Sequence, residues 1–433
     1  MPSKESSVII VGAGVFGLTL ARELCQRGYI RVTVLDRHLP PVPDGSSVDI
    51  SRIIRSDYAD AQYMKMAVEA VAGWESEYSR YYHESGILII SDEGGHSYLN
   101  KAKEQVQSQG GEINIFDNAS HIRDVHREFT SGTLQNCEGY LNPRGGWADS
   151  AEAVRHLASQ CAALGASFVT GTRGSVDSLV LDGMRVVGVN VKEGPPLLAE
   201  HVILATGAWT SRLIDLASSA VSTAQPVGFI QLTADEANLI RRMPIAIDLE
   251  SGFFVFPPTL GSNILKCARH GYGYETHVSM TTPAGEQQQI SAPRLHGDGT
   301  RALFLPQDAE ISLREGLRRF FSPSISERPF VKKHLCWYTD TPQGDFIVDH
   351  HPHLRNLFLA TGGSGHAFKF LPILGTYTCD VFEGLASDSL CQKWACRAGD
   401  KDVLIHGDGS RGGPPRRRLE DWEQLEFLGT KDH

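Results

Sequence analysis

Residues 8–37 read VIIVGAGVFGLTLARELCQRGYIRVTVLDR: an apolar run, a glycine cluster, a helical stretch, a second apolar run and an acid. Gly12, Gly14 and Gly17 fill the three positions of G-x-G-x-x-G. In a strand–turn–helix unit the first glycine permits the tight turn and the second lets the backbone approach a pyrophosphate. The third lets helix pack on strand. The helix N-terminus then offers free N–H groups and a positive dipole end to phosphates. Asp36 follows about 20 residues on, where a carboxylate accepts hydrogen bonds from ribose hydroxyls. Val15, Phe16 and Arg37 join these as cofactor-binding candidates. A glycine pattern alone is unspecific, but two strands, a helix and the acid together point to a dinucleotide. They do not separate NAD from FAD.

The remaining composition narrows the class. A chain of 433 residues can bury a substantial core and is expected to form two domains. Its net charge of -10 argues against general nucleic-acid binding, which needs a basic surface to displace counterions. The basic run Arg416-Arg417-Arg418 is followed at once by acids and reads as solvated surface. No long uncharged apolar run predicts a membrane span, and residues 8–20 do not resemble a signal peptide. Eight scattered cysteines read as reduced thiols in a cytoplasmic setting. Cys391 and Cys396 lack a matching Cys/His pair, so no metal site is expected. The terminal Lys-Asp-His is not a Ser-Lys-Leu address.

Along the chain, a polar, helical region is expected from about residue 60 to 140. SAEAVRHLASQCAALGA, from Ser150, has amphipathic helical spacing and ends in glycine. SLVLDGMRVVGVNV, from Ser178, resembles a β-meander, and HVILATGAWTSRLI, from His201, is a buried-type strand opening on Gly207 and Trp209 before a helix. Residues 223–330 predict a separate sheet, 331–385 return to strand, glycine turn and helix, and a polar tail then wraps the surface or is partly disordered. The dinucleotide domain is thus expected to be discontinuous, comprising 1–80, 142–222 and 331–385. Residues 81–141 and 223–330 form the substrate domain, and 386–433 the tail.

ILATGAW begins to separate the two dinucleotides, because it resembles the second FAD-contacting segment of glutathione-reductase-type flavoproteins. SRIIRSDYAD from Ser51, NPRGGWADS from Asn142, CWYTDTPQGDFIVDHHP from Cys336 and ATGGSGHAFKFLPILG from Ala360 narrow the match further. Together they resemble the monomeric sarcosine oxidase and pipecolate oxidase family of D-amino-acid-oxidase-like flavoenzymes, close to the fungal fructosyl amino acid and saccharopine oxidases. The resemblance runs over most of residues 6–385. It implies an α/β (α+β) fold: a discontinuous glutathione-reductase-type FAD-binding Rossmann domain with an inserted mixed β-sheet substrate domain.

The same resemblance assigns roles. Cys336 matches the cysteine that carries the flavin covalently. Arg52 and Arg55, three apart in an expected helix, can project from one face; Arg52 would lie near the flavin and Arg55 pair with the substrate carboxylate. Lys369 would share that carboxylate in a clamp of charge-assisted hydrogen bonds. Gly363, Gly365, His366 and Phe368 would contact the cofactor from the start of the following helix, as would Ser46 and Ser51 from the segment DGSSVDIS. Lys266 matches a lysine whose charge would stabilise superoxide as dioxygen is reduced, and His270 a nearby active-site histidine. Phe254 stands where sarcosine oxidases typically carry tyrosine, which makes the pocket more apolar and leaves the N-substituent open.

The implied activity is FAD-dependent oxidation of a secondary-amine amino acid by dioxygen, giving an imine and hydrogen peroxide, by a monomer. Alternatives are a dehydrogenase using another acceptor, a tailoring oxidase of an N-methyl aromatic amino acid, and a non-catalytic flavin- or metabolite-binding protein.

Overall fold

The fold follows first from how strand Val8–Val11 is buried. All four of its residues are apolar and covered on both faces, as a central strand of a parallel sheet requires. In a computed structural model that describes residues 2–216, 219–281, 287–294, 302–397 and 407–426, it pairs in parallel with Val32–Leu35 and with His201–Leu204. The sheet extends to Ser167–Val169 on one side and Leu357–Thr361 on the other, both parallel, and ends at the antiparallel edge strand Ile347–His350. Helix Val15–Gln26 packs against helices Ser150–Ala163 and Leu371–Glu383 on one face of it. Gly12 has φ +109, and a Cβ there would run into the Ala205 carbonyl; a Cβ on Gly17 would strike the carbonyl of Gly12. Neither position accepts a side chain, so the sequence pattern is here a packing requirement.

A ten-stranded sheet makes up the second layer among the described residues. Its centre is the long strand Val221–Gln231, flanked by Ile264–Arg269 and, on the other edge, by Lys332–Asp340. Three expectations change here. The region from 60 to 140 is not helical alone: helices Ala61–Glu75, Ser97–Ser108 and Ala119–Val125 alternate with Ile87–Asp92, Asn114–Phe116 and Cys137–Asn142, which are strands of this sheet. Residues 332–340, read from sequence with the dinucleotide pieces, pair along Val221–Gln231 and so belong to the large sheet. The Arg52–Arg55 segment is not helical either. Arg52–Ile54 is a strand antiparallel to Gly146–Ala148, favoured by the β-branched pair Ile53-Ile54.

The tail also differs from the surface wrap expected of it. Arg417–Arg418 adds a short parallel strand to Tyr274–Glu275. Arg416 pairs with Glu275, and Arg417 with Asp308 and Glu423, so the basic run is ion-paired. Residues 407–413 turn inward: Arg411 is buried and forms a bidentate contact with buried Asp340, at 2.6 and 3.1 Å. Residues 398–406 and the terminal Lys-Asp-His lie outside the described residues. Among the described residues no helix is long and apolar enough to cross a membrane, and no cluster of His, Cys, Asp or Glu could hold a metal ion.

Candidate active site

Between the two sheets runs a cavity of about 520 Å³, lined from the carboxyl ends of Val8–Val11 and Val32–Leu35 to residues of the large sheet. The carboxyl ends of parallel strands are where open α/β sheets bind ligands. Gly12, Gly14, Val15, Phe16, Asp36, Arg37, Ser46, Gly207 and Trp209 all line it. So do Arg52, Arg55, Phe254, Lys266, His270, Cys336, Gly363, Gly365, His366, Phe368 and Lys369. Two predicted site residues do not: Gly17 packs helix on turn, and Ser51 contributes its carbonyl, which accepts from Lys266 Nζ at 2.6 Å.

At the glycine-turn end the Asp36 carboxylate accepts the Ala13 N–H at 2.8 Å, fixing the turn, while Arg37 pairs with Asp44 and lies 4.9 Å over the Trp209 ring. Gly14 caps the Val15–Gln26 helix without a side chain, and the Val15 N–H reaches Ser47 Oγ at 2.9 Å. Gly207 has φ +51 and only open space where a Cβ would stand. Ser51 Oγ is buried without a hydrogen-bond partner among the described residues. An open backbone and a helix start with no side-chain cap fit a long polar ligand such as FAD. Ser47, Thr206 and Arg212 also line this end and were missed from sequence; they follow the motif residues in chain but carry no pattern of their own.

Because Arg52 and Arg55 flank a strand, their odd spacing sends them to opposite sides. Arg52 reaches Asp49 at 2.8 Å and lies 3.6 Å from the Cys336 sulfur. Asp49 also takes Lys266 Nζ at 2.7 Å, so one buried carboxylate holds both cations. Burial alone would raise the Asp49 pKa, but Lys266 and Arg52 hold it well below the carboxylate range. Burial lowers Lys266 to about 8, against the opposing pull of Asp49. Its strand, Ile264–Arg269, is interior to the sheet, so this lysine is not an edge-strand surface residue. Nothing in the sequence pattern marked Asp49.

Arg55 faces the other way. Its guanidinium donates to the Asp57 carbonyl and to Tyr98 Oη at 3.1 Å, and lies 5.2 Å from the centre of the Tyr58 ring. Lys369 Nζ lies 5.0 Å from the centre of that same ring. It donates to Tyr58 Oη at 2.8 Å and to the His366 carbonyl at 3.0 Å. The two cations, far apart in sequence, therefore both pack against one tyrosine ring. Both are buried, and neither makes an ion pair with a carboxylate among the described residues. Nearby Asp57 is spoken for by Tyr140 and Asn142. Burial, followed by the Arg55 charge, pushes Lys369 well below the usual lysine range.

Two histidines complete this end. His366 Nε2 meets the Gly344 carbonyl at 2.7 Å, which fixes the proton on Nε2 and leaves Nδ1 to accept from Tyr58 Oη at 2.8 Å. Burial, then Lys369, lowers His366 to about 3. His270 is held well below its usual value by burial and then Arg411, and its Nε2 is 3.2 Å from Ser410 Oγ. Ser410 and Arg411 come from the tail, whose polar composition gave no sign of a buried role.

Comparison with known proteins places the chain in a family. Residues 7–381 match the FAD dependent oxidoreductase family. The L-saccharopine oxidase of Schizosaccharomyces pombe is 30% identical over 415 residues, covering 91% of this chain and 94% of its own. A monomeric sarcosine oxidase from a Bacillus species (strain NS-129) is 26% identical over 86% of this chain and 92% of its own. The crystal structure of a modified fructosyl peptide oxidase from Aspergillus nidulans superimposes with a TM-score of 0.87 at 26% identity, covering 97% of this chain and 99% of that one. These relatives agree with the resemblance drawn from the motifs, and the fold is the mixed α/β fold of such oxidoreductases.

Proposed function

The chain belongs to the FAD dependent oxidoreductase family, and on that premise we propose that it oxidises a secondary-amine amino acid with dioxygen, giving an imine and hydrogen peroxide. The observation that carries this reading is the packing of Arg55 and Lys369 against the Tyr58 ring. A buried cation without a counter-ion is costly, so Arg55, with the Lys369 amine against the same ring in the cavity wall, calls for an anionic guest. A carboxylate is the group that two such donors bind through charge-assisted hydrogen bonds, and it orients the rest of the molecule along the cavity.

FAD would be held by the Gly12–Gly14 turn, Val15, Phe16, Asp36, Arg37, Ser46, Gly207, Trp209 and the segment from Gly363 to Phe368. Cys336, which lines the cavity with its sulfur 3.6 Å from Arg52, would be its covalent attachment point. When bound, the flavin supplies the two-electron chemistry that joins amine oxidation to dioxygen reduction. The chain's own part is position and charge. Arg55 and Lys369 anchor the carboxylate, and Lys266 holds positive charge where negative charge develops on dioxygen. Phe254 packs edge-on against Phe256, with ring centres 5.7 Å apart. That apolar wall favours a bulky N-substituent over the methyl of sarcosine, and keeps an N-methyl aromatic amino acid in view as the guest. A monomer working in a reducing, cytoplasmic setting completes the reading, in keeping with eight free cysteines.

The test is a peroxide assay across sarcosine, L-pipecolate, L-proline, saccharopine, fructosyl-valine, fructosyl-lysine and N-methyl aromatic amino acids. It is repeated with Arg55→Ala on the best substrate and on its carboxyl-free amine. Losing one partner of a buried charge contact costs about 2–5 kcal/mol, so kcat/KM for the amino acid should fall roughly 30-fold or more. The amine should be spared. Equal losses for both would remove the clamp.

A further inference from the structure

The hydrogen-bond directions around Lys369 specify more than a carboxylate contact. His366 carries its proton on Nε2, toward the Gly344 carbonyl. Its Nδ1 therefore accepts from Tyr58 Oη, and the Tyr58 oxygen in turn accepts from Lys369 Nζ at 2.8 Å. A second Nζ hydrogen goes to the His366 carbonyl at 3.0 Å. An uncharged amine has two N–H groups and one lone pair. Two of the three positions on Nζ are thus committed to fixed acceptors; in the uncharged form the one left over is the lone pair, on a side chain that lines the cavity.

The groups packed around Lys369 favour this uncharged form. Arg55 is a like charge over the same ring. Tyr58 is buried, and His366 is neutral by its tautomer and its lowered pKa. Of the two nearby carboxylates, Asp57 is bonded to Tyr140 and Asn142, and Asp408 to Ser410; neither pairs with Lys369. Trp74 fixes the Lys369 backbone by donating to its carbonyl at 2.7 Å, which sets where the side chain departs.

We propose that Lys369 is uncharged before substrate enters and takes the proton from the substrate's ammonium group, becoming the cation that then grips the carboxylate. One N–H bond of the ammonium breaks, and its electron pair remains on the substrate nitrogen. One N–H bond forms at Nζ, using the lysine's lone pair. Nothing is oxidised or reduced, and no net charge enters the site with the zwitterion. The substrate amine is left neutral, as loss of a hydride equivalent from the adjacent carbon requires. This rests on the carboxylate reading of the Arg55–Lys369 pair and adds the proton to it.

The experiment uses the holoenzyme and tetrahydrofuran-2-carboxylate, a ring carboxylate with oxygen in place of nitrogen. Having no proton to give, it must draw one from solvent. Calorimetry in buffers of different ionisation enthalpy is expected to count about one proton taken up per site, and the dissociation constant to rise about tenfold per pH unit. In Lys369→Arg, whose charge is permanent, the same ligand should bind with no uptake. The zwitterion 2-aminoisobutyrate, which has no C–H beside nitrogen to be oxidised, should bind to the wild-type protein with no net uptake. Tight binding of the oxy-acid without proton uptake overturns the inference and leaves the clamp standing. Uptake that persists in Lys369→Arg, or that is equal for the zwitterion, also overturns it. Failure of the wild-type protein to bind the carboxylate at all would bring down the clamp, and the inference with it.

Discussion

Asp49 shows how one residue can govern two cationic side chains. It pairs with Arg52 at 2.8 Å and Lys266 at 2.7 Å, and its charge works against the burial that lowers Lys266 to about 8. Lys266 is protonated below that value, so the step in which dioxygen consumes electrons should be fast at lower pH and decline as pH rises through about 8. Asp49→Asn removes the group that supports the charge, and the decline should move to lower pH, read by stopped-flow reoxidation of the reduced protein. An unmoved midpoint would show that Asp49 does not set the charge on Lys266. At this scale the sequence was partly legible. Lys266, Arg55 and Lys369 were found through motifs. Asp49 and Tyr58 were not, because a buried counter-ion and a shared aromatic ring depend on contacts between segments hundreds of residues apart.

Among the elements, the inward turn of the tail carries the most testable consequence. Arg411 and Asp340 are each 2% exposed and bonded at 2.6 Å, with the Gly271 and Ser364 carbonyls taking further guanidinium hydrogens. Removing one partner of such a pair leaves the other charge buried alone, at a cost of roughly 3–5 kcal/mol. Arg411→Ala should lower the denaturant midpoint accordingly without changing the slope. A change within about 0.5 kcal/mol would mean that the tail is dispensable to the fold. The first strand, glycine turn and helix were legible because they impose local demands: φ +109 at Gly12 and no room for a Cβ at Gly17. The tail was not, since its burial rests on ion pairing and leaves no apolar period. SRIIR misled for another reason. A five-residue run with two arginines is compatible with either period, and only pairing with Gly146–Ala148 decides it.

For the whole molecule, the cavity spans both sheets, so whatever fills it ties the two layers together. A ligand that binds only the folded chain adds RT ln(1 + [L]/Kd), about 2.7 kcal/mol at a hundredfold excess over Kd. In Cys336→Ser, where no covalent link can form, the thermal midpoint should climb with added FAD. The wild-type holoprotein should be indifferent to added FAD, and its acid-precipitated pellet should stay yellow. A colourless wild-type pellet would count against attachment through Cys336. The alternation of layers along the chain was foreseen in outline. The membership of residues 332–340 in the large sheet was not, because an apolar strand carries no mark of the sheet it joins.

The strand at Arg52–Ile54 has a consequence for how this chain can change over generations. With one arginine turned toward Asp49 and Cys336 and the other toward Tyr98, their separation is a matter of parity. Insertion or loss of a single residue between them would send both to the same side and leave the opposite wall without its cation. Descendants of this sequence are therefore free to exchange the isoleucines for other β-formers, while the count of residues between the two arginines stays fixed.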